Sequence, residues 1–152
     1  IALMTSPWRR MAPNMTPVQS KTTSHYNVGS MAKDEAIAAG YADAMMLDFE
    51  GYVAEASAAN IFFVMDGTLV TPLADRFLNG ITRQTVLELA KTLGLPLEEK
   101  RLKPEDIRKA QEAFITGSAT EIMPVTKIDD HPYTIGPVTQ KLMAAYQDLV
   151  SG

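Results

Sequence analysis

The segment around Lys21 has a composition that suits a reactive amine. Four small hydroxyl residues, at positions 20 and 22–24, surround Lys21 and would let a ligand come close to it. A lysine that forms a Schiff base must lose its proton near neutral pH, which requires partial desolvation or a cationic neighbour. Tyr26 follows and could place its hydroxyl against a phenolate-type oxygen. The alternative is a solvated surface lysine before a helix, which is the commoner situation for this residue type.

Glu55 is the second residue whose surroundings suggest chemistry. It lies between an apolar strand end and the run of small residues at positions 56–59. Those neighbours offer it no long polar side chain, and a buried carboxylate needs a positive partner. One interpretation is a buried carboxylate that faces a cationic ring nitrogen. The other is an exposed acid in a turn.

Two further segments offer hydrogen-bond donors for an anion. Gly80-Ile81-Thr82 leads into a predicted helix, whose free N–H groups and dipole favour phosphate. The segment Thr116–Glu121 begins at the end of a predicted strand and offers N–H and hydroxyl groups. A helix start without a ligand and a plain tight turn are the alternatives. Together the four segments supply an amine, a carboxylate and two anion sites, which a phosphorylated pyridine aldehyde requires.

Apolar periodicity and turn residues predict the elements that position these segments. Strands are predicted over residues 1–8, 44–49, 52–54, 60–65, 68–71, 95–102, 112–116 and 122–128. Helices are predicted over residues 24–39, 82–93 and 137–150, with a short helix after Pro104. Because hairpins and helices alternate without strict βαβ repetition, the sequence predicts an α+β or mixed α/β fold. Residues 1–152 are expected to form one compact domain.

Turn and cap residues support these boundaries. Asp66-Gly67 is a strong signal for a two-residue hairpin, and Gly40 and Gly94 favour helix ends. Thr82 is expected to cap the second helix. Inward-facing side chains are predicted on the three helices at Val28, Met31, Ala32, Ala36 and Ala39, at Val86, Leu89, Ala90 and Leu93, and at Val138, Leu142, Ala145, Tyr146 and Leu149.

Composition argues against several other functions. The chain has 152 residues with 14 basic and 18 acidic side chains, and no basic patch interleaved with aromatics suggests nucleic-acid binding. No apolar run approaches the roughly 20 residues that span a bilayer, so no membrane segment is predicted. Without cysteine, and with His25 and His131 as the two histidines, no metal site is predicted. This composition fits a cytoplasmic protein.

The order of these segments resembles the class IV aminotransferases. That family includes branched-chain amino-acid aminotransferases, D-amino-acid aminotransferases and aminodeoxychorismate lyases. The resemblance runs from about Leu3 to Leu149. Its strongest motifs are Trp8-Arg-Arg, Lys21 with Tyr26, Glu55 followed by Asn60-Ile-Phe, Gly80-Ile-Thr-Arg83 and Gly117-Ser-Ala-Thr-Glu-Ile-Met-Pro124.

The resemblance implies the large C-terminal domain of the D-amino-acid aminotransferase-like fold, which binds pyridoxal 5'-phosphate. Lys21 is then the catalytic residue, which holds the cofactor and moves the proton of the substrate α-carbon. Glu55 is expected to pair with the pyridine nitrogen, and Tyr26 to hydrogen-bond the 3'-oxygen. The resemblance also implies that the cofactor phosphate is bound by Ile81, Thr82 and Ser118. It implies that the substrate is bound by Ser118 and Ala119.

The implied reaction is transamination between an amino acid and a 2-oxo acid such as 2-oxoglutarate. Trp8-Arg9-Arg10 and Gly80–Arg83 favour branched-chain L-amino acids. Ala56, Ala58 and Ala59 stand where branched-chain enzymes usually have glycines and an acid, which is nearer the other subfamilies. A D-amino-acid aminotransferase or an aminodeoxychorismate lyase is therefore the alternative within the family. An inactive fragment or interaction module without its partner domain is the alternative from another class.

The resemblance also implies what surrounds this chain. The family forms homodimers, and its smaller N-terminal domain, which carries an arginine for the cofactor phosphate, is expected to be absent from residues 1–152. Arg9 and Arg10 have two interpretations, a contact between domains or subunits and a pair of solvated loop arginines.

Overall fold

The computed structural model describes residues 1–12, 23–117 and 119–152, except for the side chains of residues 23–27. The helices in this part of the chain are α1 (Thr23–Ala38), α2 (Ile81–Thr92) and α3 (Pro137–Ser151), with a 3-10 helix at Asp106–Lys109. The strands there are β1 (Ala2–Arg9), β2 (Asp43–Leu47), β3 (Val53–Ala56), β4 (Asn60–Met65), β5 (Thr68–Thr71), β6 (Leu97–Glu99), β7 (Glu112–Gly117), β8 (Glu121–Pro124), β9 (Lys127–Ile128) and β10 (His131–Pro132).

The strands form two five-stranded sheets. Sheet A has the order β10-β9-β1-β2-β3, and sheet B has the order β6-β5-β4-β7-β8. Strand β1 runs parallel to β2 and β9, and β5 runs parallel to β6, whereas the remaining pairs are antiparallel. Two mixed sheets with helices confirm the predicted mixed α/β fold.

The main core lies between the two sheets. Leu3 and Met45 of sheet A are buried against Ile61, Phe63 and Ile115 of sheet B. Neighbouring residues on these strands point to the outer faces, because side chains alternate along a strand. The sheets therefore form the two inner layers of the molecule.

The helices cover the outer faces of the sheets. On sheet A, Ala36 of α1 packs with Met46 of β2. On sheet B, Phe62 packs with Val86 of α2 and Leu142 of α3. Burial of one apolar stripe on each helix holds the outer layers in place.

The local turn signals are confirmed. Asp66 and Gly67 have φ values of 51° and 82° and join β4 to β5, as expected for a primed two-residue hairpin turn. Gly40 and Gly94 have φ values of 91° and 71° just after α1 and α2. This left-handed conformation is the usual helix end, and glycine adopts it without steric strain.

The predicted strand over residues 122–128 is wrong. Strand β8 ends at Pro124 in sheet B, and β9 begins at Lys127 in sheet A. Val125, in the connection, is buried in the core between the sheets. The apolar pattern thus continues across the change of sheet, and periodicity alone cannot detect it.

Three further predictions are corrected. The strand predicted over residues 95–102 is limited to Leu97–Glu99. Helix α2 is capped by Gly80 and not by Thr82, because the Gly80 carbonyl already accepts the helical bond from Gln84. The last correction concerns four residues that were predicted to face inward but are exposed: Met31, Ala39, Leu93 and Leu149. They lie at the edge of each buried stripe or past the helical turns that pack on the sheets.

Candidate functional site

Three connecting segments meet at one end of sheet B. Strand β4 begins there, and β5 and β7 end there, because β4 is antiparallel to both. The β3–β4 turn, the loop into α2 and the connection after β7 are therefore neighbours. A Cβ placed on Gly117 would lie 3.6 Å from the Ala58 carbonyl oxygen and 3.2 Å from Thr120 Oγ1, so the first and third segments are in contact.

Glu55 lies on β3 next to this end and is buried, with 9% of its surface exposed. It pairs in register with Met46, which places its side chain on the face that α1 covers. Burial raises the pKa of the Glu55 carboxyl to about 7, and the nearby charge and hydrogen bond of Arg10 oppose this rise. The carboxyl can therefore exchange a proton near neutral pH.

Arg10 is the described cationic partner of Glu55. Its Nε lies 2.9 Å from Glu55 Oε2, and its Nη2 donates to the Ser57 carbonyl at 2.8 Å. Only 5% of Arg10 is exposed, so the interpretation as a solvated loop arginine is wrong for this residue. Arg9 is exposed but is the last residue of β1 and not part of a loop, and its contact between domains or subunits stays a prediction. No local sequence pattern indicated this pairing, although a buried Glu55 requires a positive partner.

Helix α1 approaches the β3–β4 turn closely at Gly29. A Cβ on Gly29 would lie 2.5 Å from the Ser57 carbonyl oxygen, a distance that side chains essentially never adopt. Glycine therefore lets the helix backbone reach the turn that follows Glu55. This contact fixes the position of α1 relative to the β3–β4 turn.

The N-terminus of α2 is open to an anion. Gly80 is the N-cap, and no described side chain caps the helix there. The first helical bond runs from the Gln84 N–H to the Gly80 carbonyl at 3.1 Å, so the earlier N–H groups lack helical partners. Ile81 is 79% exposed, whereas Thr82 is buried. Free N–H groups and the helix dipole attract phosphate at such a terminus.

Asn60 and Arg83 hold the loop that leads into α2. Asn60 bonds to the backbone of Leu78 and Gly80, and Arg83, with 1% exposed, bonds to Asn79 Oδ1 and to the Pro72 carbonyl. Neither side chain was predicted to have a role from the sequence. The only local signal was their presence in the motifs that resemble the family.

Some of the predicted site residues lie outside the described part of the chain. These are Lys21 and Ser118, together with the side chain of Tyr26. Among the described residues, Glu55, Ile81 and Thr82 lie at the end where the connecting segments meet, and Ala119 is exposed in the connection after β7. All seven residues keep their roles as predictions.

The described groups fit the polar parts of a phosphorylated pyridine. The α2 N-terminus offers N–H groups for phosphate, and the buried Glu55 suits a ring nitrogen. Thr116 of β7 lies opposite Asn60 of β4. Its buried Oγ1 has no hydrogen-bond partner among the described residues. A buried hydroxyl without a partner is unfavourable unless a ligand or water satisfies it.

Two other kinds of site find no support in the described part of the chain. No group of three or more His, Cys, Asp or Glu side chains is arranged there to hold a metal ion. Among the helices described, none combines the length and apolar character that crossing a membrane requires.

Comparisons with known proteins give a consistent result. The family model described as amino-transferase class IV matches residues 1–128. A probable branched-chain-amino-acid aminotransferase of Rickettsia bellii is 54% identical over 127 residues, which cover 84% of this chain and 44% of the relative. The branched-chain-amino-acid aminotransferase of Pseudomonas aeruginosa is 44% identical over 155 residues, which cover 100% of this chain and 50% of the relative. The chain thus spans about half the length of these curated relatives.

Solved structures have the same fold. The branched-chain aminotransferase of the archaeon Thermoproteus uzoniensis with norvaline superposes with a TM-score of 0.93 at 45% identity, over 98% of this chain and 50% of that one. A second branched-chain amino acid aminotransferase, crystallised with pyridoxamine 5'-phosphate, gives a TM-score of 0.96 at 41% identity, over 99% of this chain and 51% of that one. The same enzyme complexed with N-(5'-phosphopyridoxyl)-L-glutamate also gives a TM-score of 0.96.

Proposed function

The chain belongs to the class IV amino-transferase family, and from this premise we propose that it takes part in pyridoxal 5'-phosphate-dependent transamination. The donor would be an amino acid and the acceptor a 2-oxo acid such as 2-oxoglutarate. The observation that carries the proposal is that the buried Glu55 precedes the β3–β4 turn, while Asn60, which follows that turn, accepts a bond from Gly80 at the uncapped N-terminus of α2. A pyridine that carries a phosphate needs both a carboxylate and an anion site.

The cofactor supplies an electron sink for the substrate α-carbon. Lys21 is the proposed catalytic residue, which holds the cofactor and takes and returns the proton of that carbon. Glu55 binds the ring nitrogen as a carboxylate, and Arg10 favours this charged form. An ionised Glu55 keeps the proton on the ring nitrogen, which maintains the electron-withdrawing power of the ring. The Tyr26 hydroxyl would donate a hydrogen bond to the 3'-oxygen.

The phosphate is assigned to the other side of the site. The N–H groups of Ile81 and Thr82, the Thr82 hydroxyl and Ser118 are the proposed donors. Ser118 and Ala119 are also the proposed contacts for the substrate. The open start of α2 and the buried Thr82 support the first part of this assignment.

Branched-chain L-amino acids are the proposed substrates. The two relatives and the solved structures described above are all named as branched-chain aminotransferases. One of the solved structures contains N-(5'-phosphopyridoxyl)-L-glutamate. We propose further that residues 1–152 form one cofactor-binding domain. A small N-terminal domain from outside this chain, a homodimer and a cytoplasmic location are expectations from the family resemblance.

The absorption spectrum with added pyridoxal 5'-phosphate tests the proposal. We expect a band at roughly 410–430 nm, as is usual for this cofactor bound to a lysine, and we expect Lys21→Ala to remove it. L-Leucine or L-valine should bleach the band, and 2-oxoglutarate should restore it. A band that Lys21→Ala leaves unchanged would overturn the proposed role of Lys21. Bleaching by a D-amino acid alone would favour a D-specific enzyme, and elimination of pyruvate from aminodeoxychorismate would favour the lyase.

A further inference from the structure

The loop at residues 72–80 determines where α2 begins. It connects Thr71 of β5 with Ile81 of α2 and has no regular secondary structure. The position of the first N–H groups of the helix therefore depends on the position of this loop. Packing on sheet B holds the body of α2, and no described side chain caps its first turn, so contacts to the loop help to fix the position of these N–H groups.

Asn60 bonds to the loop with both ends of its side-chain amide. Its Nδ2 donates to the Leu78 carbonyl at 3.0 Å, and the Gly80 N–H donates to its Oδ1 at 3.1 Å. One planar group thus fixes the backbone on both sides of Asn79. Asn60 is buried and is the first residue of β4, so this clamp is attached to the central strand of sheet B.

Gly80 is in contact with the same amide. A Cβ on Gly80 would lie 2.7 Å from Asn60 Oδ1. The φ of Gly80 is −64°, which any residue adopts, so the limited space and not the backbone conformation requires glycine here. The contact between Asn60 and Gly80 can therefore be tested by substituting either residue alone or both together.

Arg83 holds the loop from the other side. Its guanidinium donates to Asn79 Oδ1 at 2.9 Å and to the Pro72 carbonyl at 3.0 Å within the loop, and to Glu99 Oε1 at 2.7 Å on β6, the edge strand of sheet B. Asn60, by contrast, immediately follows the β3–β4 turn, which the Ala56 N–H closes on the Ala59 carbonyl at 2.7 Å. Asn60 therefore links the start of α2 to the strand that carries Glu55.

We propose that Asn60 is a positioning residue for the cofactor phosphate, because its amide places the N–H groups of Ile81 and Thr82 relative to the β3–β4 turn. The inference rests on the proposed function and adds a residue to it. The geometry of Asn60 assigns it to the phosphate and not to the ring.

Equilibrium dialysis with pyridoxal 5'-phosphate and with pyridoxal, which lacks the phosphate, distinguishes an effect of Asn60 on phosphate binding from an effect on ring binding. The unchanged protein should bind the phosphorylated ligand roughly a hundredfold more tightly, as charge-assisted hydrogen bonds to an anion predict. Asn60→Ala should reduce this ratio about tenfold while the Kd of pyridoxal changes less than about twofold. Gln140→Ala, which removes an exposed side-chain bond of the same kind to the Ile135 carbonyl before α3, is the matched control and should leave the ratio unchanged.

A double-mutant cycle covers the case in which Asn60→Ala weakens folding. Gly80→Ala should lower the affinity for pyridoxal 5'-phosphate in the unchanged protein, and this effect should shrink in the Asn60→Ala background, where Oδ1 is gone. Equal losses for both ligands in Asn60→Ala, or independent effects in the cycle, would overturn the role of Asn60. A protein that binds both ligands equally well before any substitution would instead overturn the proposed phosphate site, and the role of Asn60 with it.

Discussion

Arg10 and Glu55 form an ion pair on the α1 side of sheet A, with Nε and Oε2 2.9 Å apart. Both side chains are buried, and the guanidinium also binds the Ser57 carbonyl in the turn that follows β3. The pair therefore sets both the charge of Glu55 and the position of its turn. Burial raises the pKa of Glu55 more than Arg10 lowers it, which leaves a value of about 7.

Replacing Arg10 with glutamine should destabilise the protein in a pH-dependent way. The free energy of unfolding should fall by about 1–2 kcal/mol at pH 8, because without Arg10 the pKa of Glu55 rises further and the buried carboxylate must take up a proton. The loss should be smaller at pH 5, where Glu55 is protonated in the folded state. Urea unfolding at both pH values measures this difference. Arg9→Gln, a change at the exposed neighbour, should shift the free energy by less than about 0.5 kcal/mol. Equal losses at pH 5 and pH 8 for Arg10→Gln would contradict the pairing.

Glu55 should make stability fall as pH rises towards neutral. Its folded pKa of about 7 lies above the ordinary value of 4.5, so the folded state binds more protons than the unfolded state between these values. The stabilising contribution is complete below pH 4.5 and is lost as pH rises through 7. Its full size is about 3 kcal/mol by linkage. Thermal unfolding of the protein and of Glu55→Gln from pH 4.5 to pH 8 tests this, and parallel curves would refute it.

Gly29→Ala should be strongly destabilising, although alanine normally favours a helix. The added Cβ would meet the Ser57 carbonyl oxygen at 2.5 Å, and a backbone atom cannot move away easily. We expect a loss of about 2–4 kcal/mol in the free energy of unfolding. Chemical unfolding measures it, with Ser30→Ala at the exposed next position as the control. A stability equal to that of the control would mean that α1 does not approach the turn.

Thr82→Val should weaken the binding of pyridoxal 5'-phosphate roughly tenfold, because it removes the proposed hydroxyl donor while the shape of the side chain is kept. Thr82→Ser keeps the hydroxyl and should stay within about threefold of the original affinity. Equilibrium dialysis gives both constants. If valine and serine weaken binding equally, the Thr82 hydroxyl does not bind the phosphate.

The family and the fold class could be predicted from the sequence. The ordered motifs gave the resemblance to class IV aminotransferases, which the family match and the relatives confirm. Local chemistry also determined the Asp66-Gly67 hairpin and the helix ends at Gly40 and Gly94. These features depend on a few consecutive residues and their backbone preferences, so the chain itself encodes them without distant contacts.

The arrangement of the site depends on tertiary structure. The partner of Glu55, the clamp of Asn60 on the α2 loop and the change of sheet after Pro124 all join residues that no local pattern connects. Arg9 and Arg10 are adjacent and identical in type, yet one is exposed and the other is buried beside a carboxylate. Apolar periodicity shows which side of an element is buried, but it does not show which distant group packs there. The packing of the two sheets and α1 brought Arg10 and Glu55 together, because a buried charge is stable only where the fold supplies its partner.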